Sequence, residues 1–157
     1  MAQQFRRVVT GHDASGRAIV KIDEIAKNLV SSRPGATSCV VWTTEGFPAD
    51  NTGEEDEGLR KTGTLDNGTV FRILELAPGV SPRNHRTDSI DYAVVMSGEV
   101  DMELDDATVH LKAGDVLVQR GTIHNWVNRG TVPCVIAFVL IAAKAVEVGG
   151  TVLHAQG

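Results

Sequence analysis

From Thr69 to Ala142 the chain repeats one pattern: a short run rich in Val, Ile, Leu or Phe, a turn-forming pair, then another short run. Runs of this length and spacing point away from a helical bundle and toward an all-β domain. The pattern predicts strands over Ser38 to Thr43, Thr69 to Ala77, Asp91 to Met96, Glu99 to Leu104, Thr108 to Leu111, Asp115 to Val118, Ile123 to Val127 and Cys134 to Ala142. Between them stand Asp66-Asn67-Gly68, Pro78-Gly79, Ser97-Gly98, Asp105-Asp106, Ala113-Gly114, Arg120-Gly121 and Arg129-Gly130. Asn, Asp and Gly enter turn conformations that β-branched residues avoid, so hairpins should dominate from Thr69 onward. Gly79, Gly98, Gly114 and Gly121 are the positions expected to need that freedom. Eight or so antiparallel strands in two hairpin-rich halves suit a double-sheet jelly roll, whose mouth is a natural pocket for a small ligand.

A length of 157 residues, 42% of them hydrophobic, is enough for one domain with a real core. Fifteen Lys and Arg against twenty Asp and Glu give a net charge of −5, and the basic residues are scattered. No electrostatic footprint for a polyanion results, so nucleic acid and anionic membrane are not expected partners. Cys39 and Cys134 lie far apart in apolar stretches without metal-ligand spacing and read as reduced, buried thiols. The stretch Met1 to Arg7 is charged but has no apolar region behind it, and no apolar run approaches a membrane span in length. A cytoplasmic protein is expected.

Residues 1–60 read as a β-rich extension with an acidic loop, packed on a barrel formed by residues 61–157. Within the extension, Ile22, Ile25, Ala26 and Leu29 fall on one helical face with Asp23 and Glu24 near its start, which predicts a short helix from Lys21 to Leu29. From Phe47 to Lys61 apolar side chains are nearly absent, and Glu54-Glu55-Asp56-Glu57 forms a like-charge block. A mobile, solvated surface loop is expected there.

The chemistry concentrates in two segments. If the strand before Tyr92 were continuous, alternation would put His85, Thr87, Ser89 and Asp91 on one face, with a break conceivable near Asp88 or Ser89. A second histidine, His124, would arrive from a neighbouring strand. His85, Asp91 and His124 would then form a two-histidine, one-carboxylate cluster able to hold a divalent transition metal, iron, manganese, zinc, nickel or copper, with open positions. The competing reading is a metal-free pocket in which both histidines are hydrogen-bonded to Asp91. Trp126 shares parity with His124 and could wall the pocket. Tyr92 should point to the opposite face. Asn128 and Asp115 read as turn-fixing residues, and Arg83, Arg86 or Arg120 could clamp a carboxylate or enolate. Ser89, His124 and Asp91 contain the letters of a hydrolase triad but lack the nucleophile elbow such an enzyme needs. His12, His110 and His154 have no carboxylate or histidine at ligand spacing in the sequence.

Gly79, five residues, His85-x-Thr87, three residues, Asp91, six residues and Gly98, followed by Gly114-Asp115, three residues, Gln119-x-Gly121-x-x-His124-x-x-x-Asn128, resembles the two motifs of the cupin superfamily. The likeness covers about Thr69 to Ile141. It implies a double-stranded β-helix barrel, a metal in the barrel and pairing of two copies into a homodimer. Thr87, Asp91 and Gln119 stand where the family motif has His, Glu and Pro. Thr is a poor metal ligand, which leaves a three-ligand site or none.

Two classes of function follow. One is an enzyme acting on a small oxygenated or aromatic molecule: an oxygenase, decarboxylase, isomerase or lyase. It would use a metal on His85, Asp91 and His124, or else His124 as general base with Asp91 orienting it. Arg83, Thr87, Gln119 and Trp126 are the expected ligand-binding residues. The other class is a non-catalytic module that captures a small ligand in the same pocket.

Overall fold

A computed structural model of the chain describes residues 4–157, so the start of the Met1 to Arg7 stretch lies outside the described residues. It contains β1 (Arg6–His12), β2 (Ala18–Ile25), β3 (Leu29–Arg33), β4 (Ala36–Glu45), a 3-10 turn (Glu57–Leu59), β5 (Gly68–Leu76), β6 (Ser89–Ser97), β7 (Glu99–Glu103), β8 (Thr108–Lys112), β9 (Val116–Arg120), β10 (Asn125–Val127), β11 (Cys134–Ala142), β12 (Val146–Val148) and β13 (Thr151–Leu153). A six-stranded antiparallel sheet, β3-β4-β5-β11-β6-β9, faces a three-stranded one, β10-β7-β8; β1-β2 and β12-β13 are separate hairpins. The fold is the expected all-β jelly roll.

The two sheets close because their inward residues alternate with outward ones. In β6, Ser89, Asp91, Ala93 and Val95 are buried while Tyr92, Val94 and Met96 are exposed. Leu74 and Leu76 from β5 and Ile136, Phe138 and Leu140 from β11 meet Val100 and Met102 from β7, Leu111 from β8 and Trp126 from β10 in one core cluster. Burial of side chains this size stabilises by about 1.5–3 kcal/mol each. Gly79, Gly98, Gly114 and Gly121 all have positive φ, as expected. At Gly98 the need is double: φ is +73°, and a Cβ would lie 2.5 Å from the Pro133 carbonyl oxygen. Asn128 ties the β10–β11 connection to β5 by donating to the Leu76 and Val132 carbonyls at 2.8 and 2.9 Å. Asp115 accepts from the Lys112 amide at 2.9 Å. Both are the structural residues expected.

The first third of the chain departs from expectation. The segment Lys21 to Leu29 is not a helix: it is the end of β2, a turn and the start of β3. Asp23 and Glu24, which resembled acids at a helix start, pair across the β1–β2 hairpin, Glu24 with Arg7 directly opposite and Asp23 with Arg6 on the diagonal. Pairing with β1 therefore decides the conformation over a helical periodicity that was only coincident. The boundary at residue 60 is not where the sheets divide either. β3 and β4 precede it yet belong to the six-stranded sheet, with β4 paired to β5 from Ala36↔Leu76 to Glu45↔Gly68.

The acidic loop is docked rather than freely solvated. Arg7, 3% exposed, makes a bidentate pair with Asp56 at 2.7 and 2.6 Å and donates to Glu24 at 2.6 Å. Asp56 also accepts from the Gly58 amide at 2.9 Å, capping the 3-10 turn. Glycine is required at position 58 because a Cβ would run into the Arg7 guanidinium and lie 2.5 Å from the Val41 carbonyl oxygen. Asn28 adds a second tie, donating to the Val40 and Gly58 carbonyls at 2.8 Å each. The strap that follows, Leu59 to Gly63, is thereby held against the barrel, where it forms one wall of the central cavity.

Candidate active site

The cavity has a volume of about 630 Å³ and opens between the strap, β3 and the inner faces of β5 and β11. Its floor carries Trp126, Phe138 and Leu140 beside His85, His124 and Asp91. The expected break falls at Thr87 and Asp88: β6 begins at Ser89, and His85 stands outside it in an isolated bridge to His124. That bridge is a reciprocal pair of main-chain hydrogen bonds, His85 N–H to the His124 carbonyl at 3.0 Å and His124 N–H to the His85 carbonyl at 2.9 Å. It sets the two rings 4.2 Å apart, centroid to centroid, at 52°.

Each imidazole is tied the same way. His85 Nδ1 lies 3.0 Å from the Arg83 carbonyl oxygen and His124 Nδ1 lies 2.9 Å from the Thr122 carbonyl oxygen. A carbonyl can only accept, so Nδ1 carries the proton in both rings and Nε2 keeps the lone pair. Burial pushes His85 down to about 4; the Arg83 carbonyl opposes this, while His124, Arg83 and Arg33 reinforce it. His124 is lowered too, chiefly by burial, against the pull of the Thr122 carbonyl. Both rings are neutral bases at neutral pH.

Asp91 does not orient either histidine, contrary to expectation. It accepts from Ser89 Oγ at 2.6 Å, and Ser89 Oγ lies 2.8 Å from Thr87 Oγ1. Burial raises the Asp91 pKa, with the Ser89 hydroxyl and Arg72 acting against it. The residue against His124 is Gln119, whose Nε2 lies 2.9 and 3.0 Å from the two ring nitrogens. Gln119 reaches there because β9 pairs it with Asp91. It stands behind the histidine and is not among the cavity-lining residues, so it positions His124 rather than binding ligand. Arg83, Thr87 and Trp126 do line the cavity; Arg86 and Arg120 do not. Trp126 meets His124 and Phe138 edge-on at 5.9 and 5.8 Å.

Among the described residues, no three His, Cys, Asp or Glu side chains gather as ligands for an ion. His85 and His124 come together, but Asp91 is engaged by Ser89, and Thr87 offers only a neutral hydroxyl already within reach of Ser89. As it stands, the donor set does not fit the three-ligand centre expected from the spacing. His110, unassigned by sequence spacing, meets Asp101 at 2.7 Å and Glu99 at 3.4 Å across the β7–β8 ladder, on the outer surface.

Arg33 and Arg72 are cavity residues that the sequence reading missed. A signal for Arg72 existed: it shares parity with Val70, Leu74 and Leu76, so it is an arginine on the inward face of an apolar strand. Arg33 gave none, because β3 was not recognised as a strand.

Comparison with known proteins agrees with the architecture. The cupin domain family profile matches residues 72–141. Phomopsin biosynthesis cluster protein C′ of Diaporthe leptostromiformis is 37% identical over 94% of this chain and 83% of its own length. The cupin-domain-containing oxidoreductase fogC of Aspergillus ruber is 35% identical over 92% of this chain and 75% of its own. The cupin domain of Cnp3 from Schizosaccharomyces pombe superposes with a TM-score of 0.55 at 10% identity, covering 87% of both chains, a likeness of fold alone. Among the described residues no helix is long and apolar enough to cross a membrane.

Proposed function

The chain belongs to the cupin family, and we propose that it is a small cupin enzyme whose cavity carries out proton transfer on a small, largely apolar organic molecule bearing an oxygenated group. The observation that supports this most is the pair of buried, neutral imidazoles 4.2 Å apart, each with Nδ1–H spent on a backbone carbonyl so that Nε2 keeps its lone pair, which in His124 accepts from the Gln119 amide at 3.0 Å. A structural histidine needs no such symmetry. Two neutral bases side by side suit removal of a proton beside a carbonyl and its return at a neighbouring atom.

In this reading the Gln119 amide turns over, bringing its otherwise unpartnered Oε1 to the ring, and His124 Nε2 takes the proton. The imidazolium that forms is held in place by the Thr122 carbonyl on the far nitrogen and returns the proton to the product, so the cycle is redox-neutral. His85 sits close enough to relay it. Because charging one ring disfavours charging the other, the pair holds one proton at a time. Trp126, Phe138 and Leu140 exclude water and offer an apolar bed, which favours an aromatic or branched substrate body. One relative is named a cupin-domain-containing oxidoreductase and another a biosynthesis-cluster protein, which supports an enzyme; the proton transfer is read from the histidines and not from those names.

The test is solvent-deuterium exchange. Enolisable aryl ketones and aldehydes incubated with the protein in D₂O should take up deuterium at the carbon beside the carbonyl. His124→Ala should slow that uptake by about 10²-fold or more. Exchange equal in the parent protein and His124→Ala would refute the assignment.

A further inference from the structure

Four arginines, Arg33, Arg60, Arg72 and Arg83, and Lys61 line the cavity described above, and among its lining residues the one carboxylate is Asp91. Arg72 has no ion-pair partner within bonding distance among the described residues, and its Nε is fully buried with no hydrogen-bond partner. Its guanidinium lies over the Phe138 ring, 5.8 Å from the centroid, beneath the strap at Gly63. Arg33 spends Nε on the Ser81 carbonyl at 2.8 Å, and Arg83, at the mouth, spends one Nη on the Gly157 backbone oxygen at 2.8 Å. The Ser81 carbonyl neutralises no charge. The remaining rim cation with a partner, Arg60, is paired with Glu45 and Glu57.

Such an excess is costly. A guanidinium with a buried, unbonded Nε and no bonded acid pays desolvation that the Phe138 ring and the charge of Asp91 repay only in part, and like charges beside it add repulsion. Burial lowers the Arg72 pKa, Asp91 opposes this, and Arg83 and Arg33 add to it. Arg33 is likewise lowered, by burial and then by Arg83. Asp91 is itself held by Ser89, so it is not free to bridge the three. A fold that merely needed an inward side chain between Val70 and Leu74 would be served better by an aliphatic one. A guanidinium there fits a ligand that brings the missing negative charge, and its fork matches a carboxylate in particular.

We propose that the cavity is a carboxylate site: Arg72, assisted by Arg33 and Arg83, binds the carboxylate of a small organic acid whose apolar body lies against Trp126, Phe138 and Leu140. This deepens the enzymatic reading by naming the substrate class. It rests on that reading only for the consequence of binding, not for the binding itself. The carboxylate end is fixed by the arginines on the β3–β5 side, which sets the rest of the molecule toward the histidines.

The experiment is calorimetric titration with 3-phenylpropanoate and its neutral isostere 3-phenylpropanamide. The parent protein should prefer the acid by about tenfold or more, as loss of a charge-assisted, bidentate contact implies. Arg72→Met should abolish that preference, whereas Arg120→Met, outside the cavity, should retain it. His124→Ala should retain it too, so failure of the proton-transfer reading and failure of this one give different results. Arg72→Met should also unfold at no lower temperature than the parent, because the charge it removes serves a ligand and not the fold. Arg33→Met and Arg83→Met should weaken the preference in part. Equal affinity for acid and amide, no binding of either, a preference untouched by Arg72→Met, or competition by inorganic phosphate as strong as by the organic acid would each overturn the proposal.

Discussion

Replacing Arg7 with methionine should destabilise the protein far more than the same change at Arg6, one residue earlier in the same strand. Both arginines pair with acids across or beside the β1–β2 hairpin, but their surroundings differ. The Arg7 side chain is 2% exposed and holds Asp56, itself 24% exposed, through two bonds of 2.6 and 2.7 Å. Removing one member of a buried pair strands the other and costs about 3–5 kcal/mol. Asp56 keeps some hydration and the Gly58 amide, and Glu24 is largely solvated, so the low end, ~3 kcal/mol, is appropriate. For a domain of this size that corresponds to a fall in Tm of roughly 6–12 °C. Arg6 and Asp23 are solvent-exposed, and Arg6→Met should leave Tm unchanged within error. Urea and thermal unfolding of the two variants, with Arg7→Lys as an intermediate that keeps charge but loses the fork, measure the difference. Equal shifts for Arg6→Met and Arg7→Met would show that burial of the latch is not what holds the strap.

His85 has its folded pKa depressed to about 4, so the unfolded chain binds more protons between there and its ordinary value near 6.5. Its contribution, up to about 3 kcal/mol, is fully present above pH 6.5 and is lost as pH falls toward 4. His85→Leu should therefore flatten the stability profile over that window, and an unchanged slope in parallel denaturation series would contradict the assignment. Elemental analysis of untagged protein purified without chelators should find no stoichiometric transition metal. Near-stoichiometric metal that disappears in both His85→Ala and His124→Ala would mean that Asp91 leaves Ser89 to complete a three-ligand site. Tyr92, Val94 and Met96 on β6 and Val116 and Val118 on the edge strand β9 expose one apolar face, and a second copy of the chain is expected to cover it. Light scattering should give a dimer mass that Val118→Glu reduces to that of a monomer; a monomeric parent would refute this.

The parts of the fold that could be read in advance are those whose strands are buried on one face and bounded by glycine. β11 coincides with its expected span from Cys134 to Ala142, and the parity of Asp91, Tyr92 and Trp126 came out as alternation required. What escaped were strands whose partners, not their own patterning, make them strands. β2 is exposed at nearly every position, so no apolar alternation marks it, and its acids disclose their role only once β1 brings Arg6 and Arg7 within reach. The site divides in the same way. His85 and His124 were recognisable from spacing because each sits at a turn-flanked position. The separation of Asp91 from them was not, since it depends on a three-oxygen relay of Thr87, Ser89 and Asp91 that forms only where the strand breaks. Gln119 likewise gains its place against His124 from cross-strand register, which no local pattern records.

The reciprocal main-chain bonds between His85 and His124 separate where the reactive rings are from what surrounds them. Because reciprocal main-chain bonds set their spacing, with Gln119 bracing the His124 ring, residues 87 and 91 can be exchanged without moving either imidazole. Such a frame lets one barrel try different chemistries by altering the perimeter of a fixed pair, adding donors, withdrawing a carboxylate or changing the charge facing the ligand. Thr87 and Asp91 are then one setting of that perimeter, and divergence within the family need not disturb the geometry at its centre.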